Sequence, residues 1–371
     1  MKTVIHITTV HNAFDNRIFY KECIGLVNKG YKVTLIAPHH RKEVVEGVEI
    51  EPLKKTRNRF VRFFSNSWRV YSKVSRFAVV DIVHFHDPEL ILVGLLIKIR
   101  KCKNIIYDIH EDYVTAINQK KYIPPLLRNF TAALFCKFEE KVSTYFSIVL
   151  AEKYYSTRFP QGIQILNYPQ KSLFKELAYM ENDLTFPNLI YTGNVTEDRG
   201  AIVHANIVNY IKDANVTYVG YCNEAIAEKI ATATGSSKRI KIIGVNTYIP
   251  FNIILDYYKR EKWTAGLAIF PPTPHYFRKE LTKLFEYMGA GIPVICSDFP
   301  AWKELIEKTG SGICVNPDSF REICDAINFL LDNPSEAHKM GEYGRKTILE
   351  KLNWENELDK LSALYERIIK D

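Results

Sequence analysis

Short runs of apolar and β-branched residues alternate with helical patterns of apolar positions along the whole chain. In the first half, the predicted strands are residues 3–8, 32–37, 82–85, 104–109, 148–151 and 163–166. Helical patterns fall between them, for instance at 17–28 and 124–142. The second half repeats the scheme, with strands at 189–192, 216–219, 240–243, 266–270, 293–296 and 312–315. This alternation is typical of βαβ units, whose parallel sheets carry helices on both faces.

Two half-chains of similar size predict an α/β protein with two Rossmann-like, doubly wound parallel-sheet domains facing a central cleft. The expected boundaries are 1–170 for the first domain and 171–350 for the second. A linker is expected near 167–187, where Pro and polar residues interrupt the periodicity. The remaining segment, 351–371, is a predicted terminal helix. A length of 371 residues suits two domains of ordinary size.

Several classes of protein are disfavoured by the same pattern. The opening segment, MKTVIHITTV, lacks the basic-then-apolar layout of a signal peptide and is a predicted strand. The longest apolar run, around 90–97, is far shorter than the roughly 18–20 residues that cross a bilayer. Seven scattered cysteines without a CxxC pair favour reduced thiols over a disulfide framework or a cysteine zinc site. We therefore expect a cytoplasmic protein.

Polar residues and glycines cluster where the predicted strands end. His86 and Asp87 follow the third strand, His110 follows the fourth, and Gly193 closes the first strand of the second half. In open α/β sheets, ligands bind outside the carboxyl ends of the strands. These positions are therefore the first candidates for a functional site.

Six segments then resemble a known family. They are HITTVHNAFDNRIFYKECIGLVNKGYKVTLIAP, VHFHDPEL, IIYDIHEDY, ILNYPQ, YTGNVTEDRG and TKLFEYMGAGIPVICSDFPAWKELI. Their order along the chain resembles that of the family-4 glycosyltransferases of bacterial polysaccharide synthesis, which have the two-domain GT-B fold. The resemblance implies sugar transfer from a nucleotide-diphospho-sugar, usually with retention, without a bound metal and with no tightly bound cofactor. It also implies that the terminal helix packs back on the first domain, although the pattern is equally compatible with an ordinary terminal helix.

The resemblance places the nucleotide sugar on the second domain. A leaving nucleotide diphosphate develops negative charge, which a metal-free site must stabilise with cations. By family position these cations are Arg199, beyond Gly193, and Lys283. Glu286 then matches the residue that accepts hydrogen bonds from the ribose hydroxyls, and Val245 lies in the segment that holds the nucleobase. The alternatives are solvated helix residues and a simple Lys–Glu surface pair.

One position departs from the family pattern. The family usually has a second Glu eight positions before Glu286, contacting the donor sugar, and this chain has Arg278 there. Two other classes of protein therefore stay open. One is a non-catalytic homologue that only binds its ligand, and the other is a nucleotide-sugar epimerase on the same fold.

The acceptor-side candidates lie on the first domain. His110 resembles the family's active-site histidine, and a histidine there can hydrogen-bond a sugar hydroxyl or move a proton near neutral pH. Four further residues could orient the acceptor: Asp15, Arg17, His86 and Asp87. The alternatives are a strand-end histidine that bonds a loop carbonyl, and Asp87 as a helix cap before a proline.

A basic segment accounts for the charge of the chain. Residues 54–76 contain eight Lys or Arg and no Asp or Glu, which equals the net charge of +8. On a helix, one stripe is formed by Arg59, Arg62, Arg69, Lys73 and Arg76. The opposite side is formed by Phe60, Phe63, Phe64, Trp68, Tyr71 and Val74. This pattern predicts an amphipathic helix with a basic face.

The basic face has two interpretations. Either the apolar side packs on the sheet and the cations are merely solvated, or the segment meets an anionic partner. Anionic lipid is favoured, because each cation near such a surface contributes about 1 kcal/mol, whereas no nucleic-acid recognition motif is present. We expect a peripheral protein on the inner face of the cell membrane, acting on a lipid-linked or oligosaccharide acceptor. A membrane-facing helix counts against the epimerase.

Overall fold

The computed structural model describes residues 1–56, 62–110, 124–177, 184–273 and 276–370, and only the backbone of residues 62–63 and 125–128. The chain divides into two compact units. Unit 1 comprises Met1–Asn167 with Trp354–Asp371, and unit 2 comprises Tyr168–Asn353. Among the described residues, no helix combines the length and the apolar character needed to span a bilayer.

The strands are numbered in chain order. Those of unit 1 are β1 (Thr3–Ile7), β2 (Lys32–Pro38), β3 (Glu43–Val45), β4 (Val48–Leu53), β5 (Ile82–Phe85), β6 (Ile105–Ile109), β7 (Ser147–Leu150) and β8 (Ile163–Gln164). Those of unit 2 are β9 (Asn188–Thr192), β10 (Asn215–Cys222), β11 (Ile240–Val245), β12 (Ala265–Ala268), β13 (Val294–Ser297) and β14 (Gly312–Val315).

The helices follow the strands in alternation. In unit 1 they are a π-helix (Asn16–Cys23) that continues into α1 (Ile24–Asn28), a π-helix (Arg62–Asn66) that continues into α2 (Ser67–Ser75), a 3₁₀ turn (Pro88–Leu90) before α3 (Ile91–Arg100), α4 (Pro125–Ser143) and a 3₁₀ helix (Lys153–Thr157). In unit 2 they are α5 (Ser172–Lys175), a 3₁₀ turn (Glu197–Arg199), α6 (Ala201–Tyr210), α7 (Glu224–Ala233), α8 (Phe251–Arg260), α9 (Thr282–Gly289), α10 (Pro300–Thr309), α11 (Phe320–Asp332) and α12 (Pro334–Glu350). The chain then returns to unit 1 in α13 (Trp354–Lys370).

Each unit is built on one mainly parallel sheet. The strand order is β3-β4-β2-β1-β5-β6-β7-β8 in unit 1 and β11-β10-β9-β12-β13-β14 in unit 2. Among these pairs only β3 and β4 run antiparallel. The order switches direction beside β1 and beside β9, which are the positions where open sheets bind ligands. The predicted α/β class with two Rossmann-like sheets is confirmed.

The sheet of unit 1 has an apolar core on each face. On one face, α1 and α13 bury Leu26, Leu361 and Tyr365 against strand residues such as Val4. On the other face, α2 and α3 contribute buried residues that include Val74 and Ile97. The terminal helix therefore completes the core of unit 1, although the segment that separates it from the rest of that unit, Tyr168–Asn353, forms unit 2.

The β3–β4 hairpin was missed by the sequence pattern. Its turn consists of Glu46 and Gly47, both with positive φ, which is the conformation of a two-residue hairpin turn. Strand β4 alternates buried apolar residues with partly exposed glutamates, and in β3 Val44 is exposed, since one face of this sheet edge meets solvent. Searching for buried, parallel-type strands overlooks such an edge.

Candidate active site

Glycines crowd together near the carboxyl ends of the first three strands of unit 2. Gly193 follows β9 with φ +91°, and no atom of the described residues lies within 4 Å of the place where its Cβ would be. A Cβ on Gly220 would lie 2.0 Å from the carbonyl oxygen of Gly193, and one on Gly244 would lie 2.4 Å from that of Gly220. Only residues without side chains allow this approach, so backbone groups line this edge of the sheet.

Lys283 is a buried cation in the first turn of α9. Its Nζ lies 3.5 Å from the ring centre of Tyr191 and 5.0 Å from that of Phe270. Among the described residues, Nζ has no hydrogen-bond partner. Burial, and then the nearby charge of Arg199, hold the pKa of Lys283 well below its ordinary value. Aromatic faces stabilise an ammonium group but leave its three donors open for an anion.

Arg199 lies beside Lys283 because of one glycine turn. It ends the 3₁₀ turn Glu197–Arg199, and Gly200 with φ +78° leads into α6. A Cβ on Gly200 would lie 1.9 Å from the carbonyl oxygen of Ile269, so the turn can pack against the end of β12 only with glycine. The structure thus brings the two predicted phosphate-binding cations together, close enough for Arg199 to lower the pKa of Lys283.

His204 lies beneath these cations and was not among the predicted site residues. It is fully buried on α6, and its Nε2 accepts a hydrogen bond of 3.1 Å from the backbone N–H of Ile269. Burial, and then the charge of Lys283, lower the pKa of His204 to about 3. The imidazole is therefore neutral at physiological pH and fixes the loop after β12. Its position in an ordinary apolar helix gave no signal in the sequence.

Glu286 lies one turn after Lys283 on α9 and is partly buried. Its carboxylate interacts with the hydroxyl of Tyr258, whose pKa is raised first by burial and then by the Glu286 charge. The Tyr258 hydroxyl lies 2.9 Å from Thr192 Oγ1, and the Tyr287 hydroxyl accepts from the Thr192 N–H at 3.0 Å. These bonds tie α9 to the end of β9 and place Glu286 next to the glycine edge.

Two further positions of unit 2 are accessible. Val245 is the last residue of β11 and is 40% exposed, which suits contacts made through its backbone. Arg278, at the position of the family's other Glu, is exposed on a turn. Residues 274 and 275, next to this turn, lie outside the described residues. The donor-sugar assignment therefore stays a prediction.

In unit 1, His86 is enclosed within the fold. Its Nδ1 lies 3.1 Å from Asp108 Oδ2, and its Nε2 lies 3.0 Å from His6 Nδ1. Its side chain has no exposed surface. These contacts support a structural role for His86 better than contact with an acceptor.

Arg17 is also turned into the interior. Its Nε and Nη2 donate to the two carboxylate oxygens of Asp108 at 3.0 and 3.1 Å, and Nη2 also donates to the carbonyl oxygen of Ile165 at 3.0 Å. Burial lowers the pKa of Arg17, but the charges of Asp108 and Glu22 more than offset it and keep the pKa above its ordinary value. Such a buried, bidentate pair joins elements of the fold, so acceptor orientation is not supported by its geometry.

The two predicted acceptor-side carboxylates organise loops. Asp15 caps the π-helix by accepting from the backbone N–H groups of Arg17 and Ile18 at 2.9 and 3.0 Å. Asp87 precedes a proline turn, but its carboxylate makes no cap hydrogen bond there. It accepts from the Thr9 N–H at 2.6 Å instead and so holds the loop after β1. The helix-cap interpretation of Asp87 is therefore replaced by a loop tether.

His110 is the acceptor-side candidate that reaches the surface. It follows β6, and its side chain is 10% exposed. Its Nε2 lies 3.0 Å from Nε2 of His11, in the loop after β1. Burial is the largest cause that lowers the pKa of His110, to about 4. A neutral His110, paired with the unpredicted His11, can accept or donate a hydrogen bond at the carboxyl ends of β1 and β6.

The basic segment differs in part from the predicted stripe. Val70 and Val74 are buried on the inner side of α2, whereas Phe64 and Trp68 are 69% and 70% exposed. The apolar side therefore does not pack on the sheet as a whole. Arg69 and Arg76 are exposed, and Lys73 Nζ pairs with Glu51 Oε2 at 2.9 Å. Arg59 and the side chain of Arg62 lie outside the described residues.

Comparisons with solved structures define the class of fold. Sucrose-phosphate synthase from Thermosynechococcus elongatus aligns over 100% of both chains with a TM-score of 0.78 and 15% identity. A glycosyltransferase from Rickettsia africae aligns over 100% of this chain and 99% of its own, with a TM-score of 0.76 and 14% identity. HepE from Anabaena, solved in complex with UDP, covers 99% and 100%, with a TM-score of 0.70 and 11% identity. The fold is that of the GT-B glycosyltransferases.

Sequence comparisons then give the family. The family model described as Glycosyltransferase Family 4 matches residues 6–151, and the one described as Glycosyl transferases group 1 matches residues 282–347. The chain belongs to the family-4-type GT-B glycosyltransferases.

The curated relatives match over shorter stretches. An MMP alpha-(1->4)-mannosyltransferase of Mycolicibacterium hassiacum is 29% identical over 23% of this chain and 21% of its own length. The alpha-maltose-1-phosphate synthase of Mycolicibacterium smegmatis is 22% identical over 54% and 52%. The chain thus spans between about a fifth and about half of the length of these two relatives.

Proposed function

We propose that this chain transfers a sugar from a nucleotide-diphospho-sugar to a lipid-linked glycan acceptor. The observation that carries the proposal is Lys283, a buried amine whose Nζ has no hydrogen-bond partner among the described residues. Burying an unpaired cation is costly, and a diphosphate would supply its missing partner. Arg199 adds a second cation beside it. Together they would stabilise the leaving diphosphate without a metal in the reaction.

Glu286 supports the nucleoside part of the donor. Its carboxylate can accept two hydrogen bonds, which matches the paired hydroxyls of a ribose. Gly193 and Val245 would offer backbone groups to the same ligand. The Anabaena neighbour with the same fold was solved with UDP and with UDP-glucose, which favours a nucleotide sugar as the partner. Retention of configuration is the outcome we expect for the transfer.

The acceptor proposal comes from the surface of unit 1. Helices α2 and α3 pack against each other and bury their inner sides in one core. Their outer sides and the π-helix before α2 expose the large apolar residues Phe64, Trp68, Leu92, Leu96 and Ile99. Helix α4 also exposes Phe130 and Leu134. Arg69, Arg76 and Arg100 are exposed on the same helices or at their ends. Exposed apolar patches with cations are typical of membrane-binding surfaces, so we place the reaction at the cytoplasmic face of the cell membrane.

A groove in unit 1 offers a place for an anionic part of the acceptor. Its volume is about 690 Å³, and it lies at the carboxyl ends of β2 and β4. His39, His40, Lys54 and Lys55 contribute to its lining. A lipid-linked acceptor carries phosphate at its head, which these side chains could bind. The hairpin that the sequence pattern missed leads into this groove.

Calorimetric titration tests the donor proposal. We expect UDP-glucose or another nucleotide sugar to bind, and Glu286→Gln to weaken binding about 10- to 100-fold, because a charged acceptor of hydrogen bonds is lost. The control is Glu307→Gln, an exposed carboxylate on α10. Absence of binding by every nucleotide sugar would exclude both the glycosyltransferase and the epimerase. If a nucleotide sugar binds, product analysis separates the remaining classes: a binding protein forms no product, whereas an epimerase converts the donor sugar without any acceptor.

Sedimentation with vesicles tests the membrane proposal. The wild-type chain should pellet with vesicles of phosphatidylglycerol and phosphatidylcholine. A double variant, Phe64→Ser with Trp68→Ser, should lose most of this binding because the exposed aromatic anchors are removed. Tyr210→Ser, an exposed aromatic residue of unit 2, is the control. Equal pelleting of the double variant and the wild type would contradict docking through this face.

A further inference from the structure

A cluster of ligand-type side chains lies in the core of unit 1. It comprises His6 on β1, Glu22 on the first π-helix, His84 on β5 and His86 just after β5. All four residues are at 0–1% exposure. Each offers one nitrogen or carboxylate oxygen, and these atoms lie within 4.8 Å of one another. The nucleotide-sugar site does not use this cluster.

Three of these atoms form a triangle of a suitable size for a metal ion. His6 Nδ1 lies 3.0 Å from His86 Nε2, and Glu22 Oε2 lies 3.6 Å from the first nitrogen and 3.7 Å from the second. A point equidistant from all three lies about 2.0 Å from each. Zinc–nitrogen and zinc–oxygen bonds have this length.

The carboxylate of Glu22 gives an independent reason. Both of its oxygens are buried and accept no hydrogen bond from the described residues. The guanidinium of Arg17 comes within 3.1 Å of Oε1 without hydrogen-bond geometry, and Oε2 faces the two histidines. A buried carboxylate without a donor is costly. A cation at the triangle would give Oε2 its missing partner.

The outer nitrogens of both histidines are held as in metal sites. His86 Nδ1 lies 3.1 Å from Asp108 Oδ2, so the ring can donate a proton there and direct its Nε2 lone pair inward. His6 Nε2 lies 3.1 Å from the hydroxyl of Tyr365, on α13. Histidine ligands usually donate their second N–H to a carboxylate or another acceptor in this way.

A second grouping, of His86, Asp108 and His110, fits less well. Both oxygens of Asp108 already accept from Arg17, whereas those of Glu22 accept no hydrogen bond among the described residues. The charges also favour an ion beside Glu22. Two buried carboxylates, Glu22 and Asp108, face one guanidinium, which leaves one negative charge for a bound cation to offset.

We propose that His6 Nδ1, His86 Nε2 and Glu22 Oε2 bind a divalent transition metal, with zinc the best match in ligand type and distance. The ion would join β1, the π-helix and the end of β5, and through Tyr365 it would fix α13. Its role is structural. It is separate from the proposed sugar transfer, so either proposal can fail alone.

Metal analysis of the full chain tests the proposal. After purification and dialysis, we expect about one zinc per chain by mass spectrometry, or its recovery on adding zinc salt to the chelator-treated protein. Glu22→Gln keeps the shape but removes the charged ligand, and should abolish stoichiometric zinc. Tyr365→Phe removes the hydroxyl that lies 3.1 Å from His6 Nε2 and 2.7 Å from His84 Nδ1 but leaves all three ligands in place, and should weaken zinc binding about 10- to 100-fold.

The control variant is His40→Asn, an exposed histidine of unit 1 outside the cluster, which should keep its zinc. Thermal melting with and without zinc supplies a second measurement, because zinc should raise the midpoint of the wild type but not that of Glu22→Gln. A folded wild-type chain that retains no zinc, and whose midpoint zinc does not raise, overturns the proposal. So does equal zinc retention by folded Glu22→Gln and the wild type.

Discussion

The two units bury their cations in opposite ways. In unit 1, Arg17 donates to both oxygens of Asp108 and to a backbone carbonyl. In unit 2, Lys283 is just as enclosed but lies over the rings of Tyr191 and Phe270, with no hydrogen-bond partner among the described residues. Arg17 and Lys283 were both predicted from the sequence to contact a substrate, and the family motifs alone do not distinguish them.

The difference separates a structural cation from a binding cation. A charge whose partners come from its own chain is stabilised in the folded protein, as the raised pKa of Arg17 indicates. A charge without such partners is destabilised, as the lowered pKa of Lys283 indicates. It is stabilised when an anion binds. Removing Arg17 should therefore cost stability, and removing Lys283 should cost ligand binding.

The largest effect is expected from Arg17→Met. The substitution leaves Asp108 and Glu22 buried without their cation, which should lower the free energy of unfolding by about 3–5 kcal/mol. Urea unfolding followed by tryptophan fluorescence measures it, since the Trp354 ring lies 6.0 Å from the guanidinium. Arg41→Met, which removes an exposed arginine paired with Glu43, is the control and should change stability by less than about 1 kcal/mol. A loss of under about 1 kcal/mol for Arg17→Met would contradict the structural assignment.

The next effect is expected from Lys283→Met, which keeps the apolar contacts with the aromatic rings. The unfolding free energy should stay equal or rise, because a poorly solvated charge is removed. UDP binding should weaken about 10- to 100-fold, since a charge-assisted contact with phosphate is lost. Calorimetry measures the affinity, with exposed Lys303→Met on α10 as the control. Unchanged UDP affinity would remove Lys283 from the donor site.

Proton uptake sharpens the same test. The pKa of Lys283 is depressed in the free protein, and a bound diphosphate would raise it, so UDP binding should take up protons. The affinity for UDP should fall as pH rises from the pKa of Lys283 in the free protein to its higher pKa in the complex. Titrations in buffers of different ionisation enthalpy measure the uptake. It should disappear in Lys283→Met, and equal uptake by variant and wild type would assign the proton to another group.

The fold was largely predictable, and the errors have a physical origin. Buried parallel strands such as β1, β9 and β13 are continuous apolar runs, so the periodicity reveals them. The β3–β4 edge was missed because its solvent-facing glutamates hide the strand. For the amphipathic segment, the apolar pattern did not distinguish packing on the sheet from exposure: Val70 and Val74 are buried, while Trp68 is exposed.

The site was predictable only where a motif marks it. Arg199, Lys283 and Glu286 lie in motifs, and in the structure the charges of Arg199 and Glu286 both act on Lys283, while their roles toward a donor stay predictions. Pattern alone does not reveal whether a polar residue points inward, so Arg17 and His86 were placed with the acceptor although their side chains are buried. The partners that hold these side chains in the interior are Asp108 and Glu22. Asp108 is 91 positions from Arg17 along the chain, and Glu22 lies on the same π-helix as Arg17, where the apolar pattern does not mark it as a partner.

A smaller effect than that of Arg17→Met is expected from His204→Gln, which tests whether neutral packing supports the cation site. The pKa of His204 is about 3 in the folded chain, lowered by burial and then by Lys283, and about 6.5 in the unfolded chain. Below pH 6.5 the unfolded chain thus binds more protons, so the stability contributed by neutral His204 is lost as pH falls toward 3. The loss should be about 1.4 kcal/mol per pH unit.

Urea unfolding between pH 7 and pH 5 should show a shallower loss for His204→Gln, whose amide keeps an acceptor but does not titrate. His40→Gln, an exposed histidine, should follow the wild type. Parallel pH profiles for His204→Gln and wild type would mean that other buried groups, such as His110, dominate acid unfolding.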